Sequence, residues 1–240
     1  MKVYAIIPAR YNSSRFPGKP LALINNIPMW LWVYRACETC AKVDMVILAT
    51  DDQRIVDSAI SAHSNVSLTG DCPSGTDRVH DVAKGHGLSG EDIVINVQGD
   101  EPLLSPWHLE VLIDYMSANP RSRIVTLATP IDYDQALDVN TCKVVVDHCN
   151  RAMYFSRLPI PHNSIRYLKH IGVYAYRMAT LSLLCALPPA LIERAEHLEQ
   201  LRALDHGIGI DVVMTTHDTI SVDTPGDLVR VQQHLDKCKT

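Results

Sequence analysis

Val3-Tyr4-Ala5-Ile6-Ile7-Pro8-Ala9-Arg10-Tyr11-Asn12-Ser13-Ser14-Arg15-Phe16-Pro17-Gly18-Lys19-Pro20 is an apolar run emptying into a basic loop. The run from Val3 to Ile7 reads as a strand buried on both faces, the kind that parallel sheets use. The loop carries Arg10, Arg15 and Lys19, and no Asp or Glu occurs before Glu38, although the whole chain has a net charge of -5. Arg grips phosphate oxygens in a bidentate fork and Lys acts as a point charge. Gly18 permits close backbone approach, and Ser13 and Ser14 add hydroxyl donors. We read the loop as a triphosphate cradle, because ligand sites in open α/β sheets lie at the carboxyl ends of strands. A solvated basic loop would explain three cations but not their crowding directly after the first strand. Neither Gly-x-x-x-x-Gly-Lys-Ser/Thr nor Gly-x-Gly-x-x-Gly occurs here, so a triphosphate must be held differently.

Around this stretch, 240 residues with 47% hydrophobic content suffice for one α/β domain with a core of good size. A pI near 6.1 argues against nucleic-acid or anionic-membrane partners, which need an extended basic face. The apolar run before Pro8 is too short for a signal core or a membrane span, so a cytoplasmic location is expected. Seven scattered cysteines read as mostly free thiols of a reducing compartment. Cys37-Glu38-Thr39-Cys40 falls late in a helix and has no second pair, which disfavours redox or zinc work.

Further along, apolar runs and amphipathic segments alternate. A helix is expected from Met29 to Ala41 and a strand over 45–50. A helix from Gln53 to Ala62 and a strand over 66–68 follow. Asp51 and Asp52 could hold a metal, but an Asp at a strand end is equally a helix N-cap, and the cap is favoured. Ser74-Gly75-Thr76 opens a helix whose amides favour an anionic or polar ligand. Asp92 to Val97 is a buried strand ending in Gln98-Gly99-Asp100-Glu101-Pro102. Asp100, at a strand end beside a glycine, is the hard oxygen ligand that Mg²⁺ prefers when phosphate oxygens share its shell. After the Ser105-Pro106 helix and a strand over 123–130, the βα rhythm implies a mainly parallel sheet. From about 131 to 205 the pattern turns to strands at 143–147, 151–155 and 167–176, and a smaller lobe is expected there within a single domain. Ala195 to Leu204 reads as a helix with a Leu stripe. Its Glu199 and Gln200 are either a solvated face or point at a hydroxylated ligand. Thr224, Pro225 and Asp227 form an N-cap arrangement that does not use Asp223; this second carboxylate could join Asp100 on one metal, which spacing in sequence does not establish.

Seven blocks then resemble, in order and from end to end, the 3-deoxy-manno-octulosonate cytidylyltransferase family, the CMP-Kdo synthetases. They are Ile7–Arg10 with Arg15–Leu21, Ser74–Arg78, Asn96–Pro102, Tyr154–Arg157, Lys169–Arg177, Leu198–Arg202 and Val222–Pro225. The resemblance implies a Rossmann-like nucleotidyltransferase sheet with a smaller inserted lobe for the sugar site and the dimer contact. It implies CTP and Kdo as substrates, CMP-Kdo and pyrophosphate as products, Mg²⁺ as cofactor and a homodimer. By position, Arg10, Arg15 and Lys19 face the triphosphate, with Pro8 and Ala9 near the nucleotide. Ser74, Gly75 and Gln98 fall where the family holds cytidine, and Asp100 and Asp223 where it coordinates the metal. Arg157, His170, Tyr174, Glu199 and Gln200 match the sugar side, with Arg78 close to them. The segment between Arg157 and His170 is shorter than in some members and bears on the sugar end. A cytidylyltransferase for 8-amino-Kdo or sialic acid is the nearest rival, and a non-catalytic nucleotide-binding regulator is the rival from another class.

Overall fold

A computed structural model describes residues 1–12 and 16–237. Arg15, one of the three cradle cations, and Cys238 lie outside the described residues. In chain order, β1 (Val3–Ala9) leads through a 3-10 turn at Lys19–Leu21 to a small hairpin, β2 (Leu23–Ile24) and β3 (Ile27–Pro28). Asn25 and Asn26 form its turn with φ of 50° and 64°, a conformation Asn tolerates. There follow α1 (Met29–Glu38), β4 (Met45–Thr50), α2 (Gln53–Ser61), β5 (Val66–Leu68), α3 (Gly75–Gly85), β6 (Ile93–Val97), α4 (Pro106–Ala118) and β7 (Ile124–Ile131). The second part holds α5 (Tyr133–Ala136), β8 (Lys143–Val146), β9 (Ala152–Ser156), β10 (Tyr167–Arg177), α6 (Met178–Ala186), α7 (Leu191–Glu196), α8 (Leu201–Asp205), β11 (Asp211–Met214) and α9 (Pro225–Lys237).

The main sheet runs β11-β7-β10-β6-β1-β4-β5. β1 pairs in parallel with both β4 and β6, β4 with β5, and β11 with β7. β10 is antiparallel to both its neighbours. Successive side chains of β1 enter opposite cores, as a strand period of two requires. Val3, Ala5, Ile7 and Ala9 pack with α1, α2 and α4, whereas Tyr4 and Ile6 face α3 and α6. The layers are therefore helix, sheet, helix.

Local chemistry accounts for most helix starts. Asp52 caps α2 by accepting from Arg54 N at 3.0 Å. Ser105 and His108 form a capping box on α4, and Thr224 with Asp227 opens α9. Of the segment 131–205, β10 and α6 belong to the main sheet and its helix layer. The β8–β9 hairpin, joined to β10 at Lys143 and Lys169, is the part that stands to one side.

The helix expected over 195–204 is two helices instead. α7 ends at His197 in a left-handed conformation with φ of 54°, and α8 restarts at Leu201. No Gly or Pro marks this break, so tertiary contacts override helix propensity. A buried pair closes the gap: Arg202 Nη2 and Nε donate to Glu193 Oε1 and Oε2 at 2.7 and 3.0 Å. Among the described residues no helix is long and apolar enough to cross a membrane.

Candidate active site

Strands β1 and β6 are parallel neighbours, so their carboxyl ends, Pro8-Ala9-Arg10 and Gln98-Gly99-Asp100-Glu101, emerge side by side. Gly99 makes this possible, because a Cβ there would lie 3.1 Å from the Pro8 carbonyl oxygen. Gly18 turns the basic loop back with a φ of 71°, which a side chain would strain.

Two cavities open at this edge. The first, about 380 Å³, is lined by Pro8, Ala9, Arg10, Lys19, Gly75 and Gln98, among others. Arg10 is held there by a bond from Nη2 to the Cys72 carbonyl at 2.9 Å. The second, about 390 Å³, gathers Arg157, His170, Tyr174, Glu199, Gln200 and Asp223. Gln98, Asp100 and Glu199 line both. Pro8, Ala9, Arg10, Lys19 and Gly75 thus sort to one space and Arg157, His170, Tyr174 and Gln200 to an adjoining one, with Gln98, Asp100 and Glu199 as a common wall.

Lys19 ties that wall to the end of the chain. Its Nζ lies 2.6 Å from Asp100 Oδ2, 3.0 Å from the Val222 carbonyl and 3.7 Å from Asp223 Oδ1. Val222 N also donates to the Asp100 carbonyl at 2.8 Å. Asp100 and Asp223 therefore sit about one ammonium group. Among the described residues no three His, Cys, Asp or Glu side chains form a metal cage. Two hard carboxylates fit a cation whose remaining ligands are phosphate oxygens and water, as Mg²⁺ prefers. Next to them, burial and then the Asp100 charge push Glu101 up to about 7.

Glu199 does more than face a ligand. Its Oε1 accepts from Gly75 N at 3.2 Å, and its Oε2 accepts from Thr76 N at 3.1 Å and Thr76 Oγ1 at 2.6 Å. The break at His197 is what delivers this carboxylate to the start of α3, where amides and helix dipole favour an anion. The anionic partner expected for Ser74-Gly75-Thr76 is thus supplied by the chain itself.

On β10, His170, Gly172, Tyr174 and Tyr176 share the cavity face, with a register shift against β7 between Ile171 and Tyr174. Burial, with Lys169 beside it, holds His170 down at about 3, so the ring is neutral. Its Nε2 lies 2.9 Å from Thr126 Oγ1, which also lies 2.8 Å from the Val173 carbonyl. A carbonyl only accepts, so the hydroxyl proton goes to it; Nε2 donates and Nδ1 is left as an acceptor. Burial raises the Tyr174 phenol well above its usual range and keeps it a donor.

Two expected site residues are placed elsewhere. Arg78 does not line the sugar-side cavity: a residue of α3, it is fully buried, pairing with Asp51 at 2.6 Å and bonding to Thr69 Oγ1. Asp51 is that ion-pair partner, while Asp52 is the cap. Ser74 is the N-cap of α3, engaged with Asp77 at 2.6 and 3.1 Å, and it is Gly75 that reaches the first cavity. Residue-by-residue reading assigns no site role to Lys143, Lys169 or Glu101. Lys169 and Glu101 lay inside the quoted blocks, but Lys143 sits in an apolar strand and gave no signal. Cys37 and Cys40 are buried free thiols pushed up by desolvation, which fits their inert reading.

A cytidylyltransferase family model matches residues 4–212. The 3-deoxy-manno-octulosonate cytidylyltransferase of Desulfatibacillum aliphaticivorans is 43% identical over 242 residues, covering 98% of this chain and 99% of that one. The enzyme of the same name from Nitratidesulfovibrio vulgaris (strain DP4) is 45% identical over 234 residues, covering 94% and 92%. A solved CMP:2-keto-3-deoxy-manno-octonic acid synthetase complexed with CTP superposes with a TM-score of 0.91 at 40% identity, covering 99% of both chains. A cytidylyltransferase from Leptospira borgpetersenii shares the fold, with a TM-score of 0.69 at 17% identity, covering 99% of this chain and 87% of that one. With blocks, cavities and full-length relatives in agreement, this chain belongs to the 3-deoxy-manno-octulosonate cytidylyltransferase family.

Proposed function

We propose that the protein transfers CMP from CTP to 3-deoxy-D-manno-octulosonate (Kdo), releasing pyrophosphate, as a step of lipopolysaccharide biosynthesis. The observation that carries this reading is the wall of Gln98, Asp100 and Glu199 common to a cationic cleft and a polar, Arg-bearing cavity. The anomeric hydroxyl of the sugar attacks the α-phosphorus in line and gives up its proton to solvent; the new O–P bond forms as the bond to the β-phosphate oxygen breaks. Positioning and charge neutralisation supply most of the acceleration. Arg10 and Lys19, with Arg15 of the same loop, take up the charge of the triphosphate and of the leaving pyrophosphate. Gly75 and Gln98 face the cytidine, on a floor of Pro8 and Ala9. Arg157 serves the sugar carboxylate, and His170, Tyr174, Glu199 and Gln200 serve its hydroxyls. Asp100 and Asp223 would hold Mg²⁺, which when bound offsets phosphate charge and orients the reacting phosphorus.

Free thiols at Cys37, Cys40, Cys72, Cys142, Cys149 and Cys185 suit a cytoplasmic location. A homodimer is part of the same reading; Met153 on β9, Leu158 and Ile165 after it, and Leu191 at the start of α7 are exposed apolar side chains that such a contact could cover. The test is pyrophosphate release from CTP and Mg²⁺ with Kdo, 8-amino-Kdo and sialic acid offered separately. Release with Kdo is expected. Release with the amino sugar alone would move the sugar assignment to the 157–170 segment, and CTP binding without release from any of the three would refute the reading.

A further inference from the structure

Lys143 opens β8 and is fully buried, an expensive place for an ammonium group unless each of its protons finds an acceptor. All three do, on main-chain carbonyls: Asp138 O at 3.0 Å, Thr141 O at 2.5 Å and Arg157 O at 2.5 Å. Those carbonyls belong to two walls of the second cavity, the loop before β8 and the residue after β9. The Arg157 guanidinium joins the same walls from the other side, its Nη1 lying 3.3 Å from the Val139 carbonyl and 3.5 Å from that of Asn140. Carbonyl oxygens carry only partial charge, so they solvate the ammonium; burial pulls its pKa down, and the Asp138 and Glu196 carboxylates are among the charges that work against that shift. Burial pushes the neighbouring Cys142 thiol up to about 12 and keeps it neutral. Asn140, Thr141, Cys142 and Arg157 all face the cavity.

We propose that Lys143 is a positioning residue for an acidic sugar: from behind the cavity it holds the 138–142 loop and Arg157 together and supplies a buried positive field. The inference rests on the function proposed above. Lys143 touches no reacting atom, so its removal acts on sugar binding and not on the chemistry at phosphorus. A cationic donor to several acceptors implies a loss of about tenfold or more in apparent sugar affinity.

The test uses Lys143→Met and Lys143→Gln in the full chain. Expected is a rise of about tenfold or more in KM for the sugar that wild type uses, with kcat at saturating sugar within about threefold and calorimetric CTP affinity within about twofold. A second readout needs no turnover: amide hydrogen exchange in the free protein should quicken in segment 138–142 of Lys143→Gln and stay unchanged in β1 and β6. Loss of CTP binding in both variants would overturn the proposal, since the lysine would then support the whole fold. So would an unchanged sugar KM, or unchanged exchange in 138–142. Silence of wild type with every sugar counts against the function alone, and the exchange experiment still decides the role of Lys143.

Discussion

Removing the Arg202 guanidinium while keeping the bulk, Arg202→Met, tests what holds the broken helix together. Arg202 and Glu193 are 6% and 8% exposed and make two bonds, at 2.7 and 3.0 Å. Deleting one partner strands a buried carboxylate, which costs about 3–5 kcal/mol. Glu193 still accepts from Ala190 N at 3.0 Å, which argues for the lower end, about 3 kcal/mol. For a chain of this size that is a fall in Tm of about 6–12 °C. Urea unfolding of wild type, Arg202→Met, Glu193→Met and the double variant completes a cycle. The double variant should be more stable than the two single losses predict, by about 1.5 kcal/mol or more. The local consequence should show in kinetics, because the same break aims Glu199 at α3: KM should rise for both substrates. A loss below about 1 kcal/mol, or strict additivity, would mean that the backbone alone sets the break and would refute the reasoning.

Asp100→Asn should lower turnover by about a hundred- to a thousandfold with the fold intact, a loss of several kcal/mol of charge stabilisation; an active variant removes the metal role. Lys19→Met takes the ammonium group away from Asp100 and Asp223, so the nucleotide-free variant should bind Mn²⁺ more tightly than wild type by electron spin resonance while turning over more slowly; equal Mn²⁺ affinity would exclude a metal site on these two carboxylates. His170 stays neutral down to about 3 in the fold but protonates near 6.5 when unfolded. The unfolded chain therefore binds more protons between those values, and acidification through that window favours unfolding by about 1.4 kcal/mol per pH unit from this group. His170→Gln should remove that slope between pH 6 and 5, and parallel stability curves for variant and wild type would exclude it.

Much of the frame is written in local pattern. Strands β1, β4 and β6 are covered on both faces and so appear as unbroken apolar runs, and Asp52, Ser105 and Thr224 announce helices through chemistry that acts within four residues. Candidate site residues at strand ends are legible for the same reason. What local pattern hides is anything decided by distant partners. The Ala195–Leu204 segment has good helix formers throughout, yet it breaks because Glu199 finds amides 124 residues away in sequence. Arg78 looks like a site cation beside a loop, but the Asp51 carboxylate holds it in a buried ion pair. β10 reads as one more strand of a side lobe, and only long-range pairing sets it antiparallel inside the main sheet. Lys143 stands in an apolar strand and owes its role to carbonyls brought round by two other segments.

The Lys19 bond to the Val222 carbonyl joins positions 203 apart in the chain. A nascent polypeptide cannot bring Asp223 to Lys19 and Asp100 until the strap of residues 222–223 has left the ribosome, because it follows β11 and so every described strand. Fragments ending before that strap can carry the cationic loop and the β6 end but not the second carboxylate. On the role proposed for Asp223, turnover reports that the chain has folded through this strap, which makes catalysis a sharper assay of folding than secondary structure content.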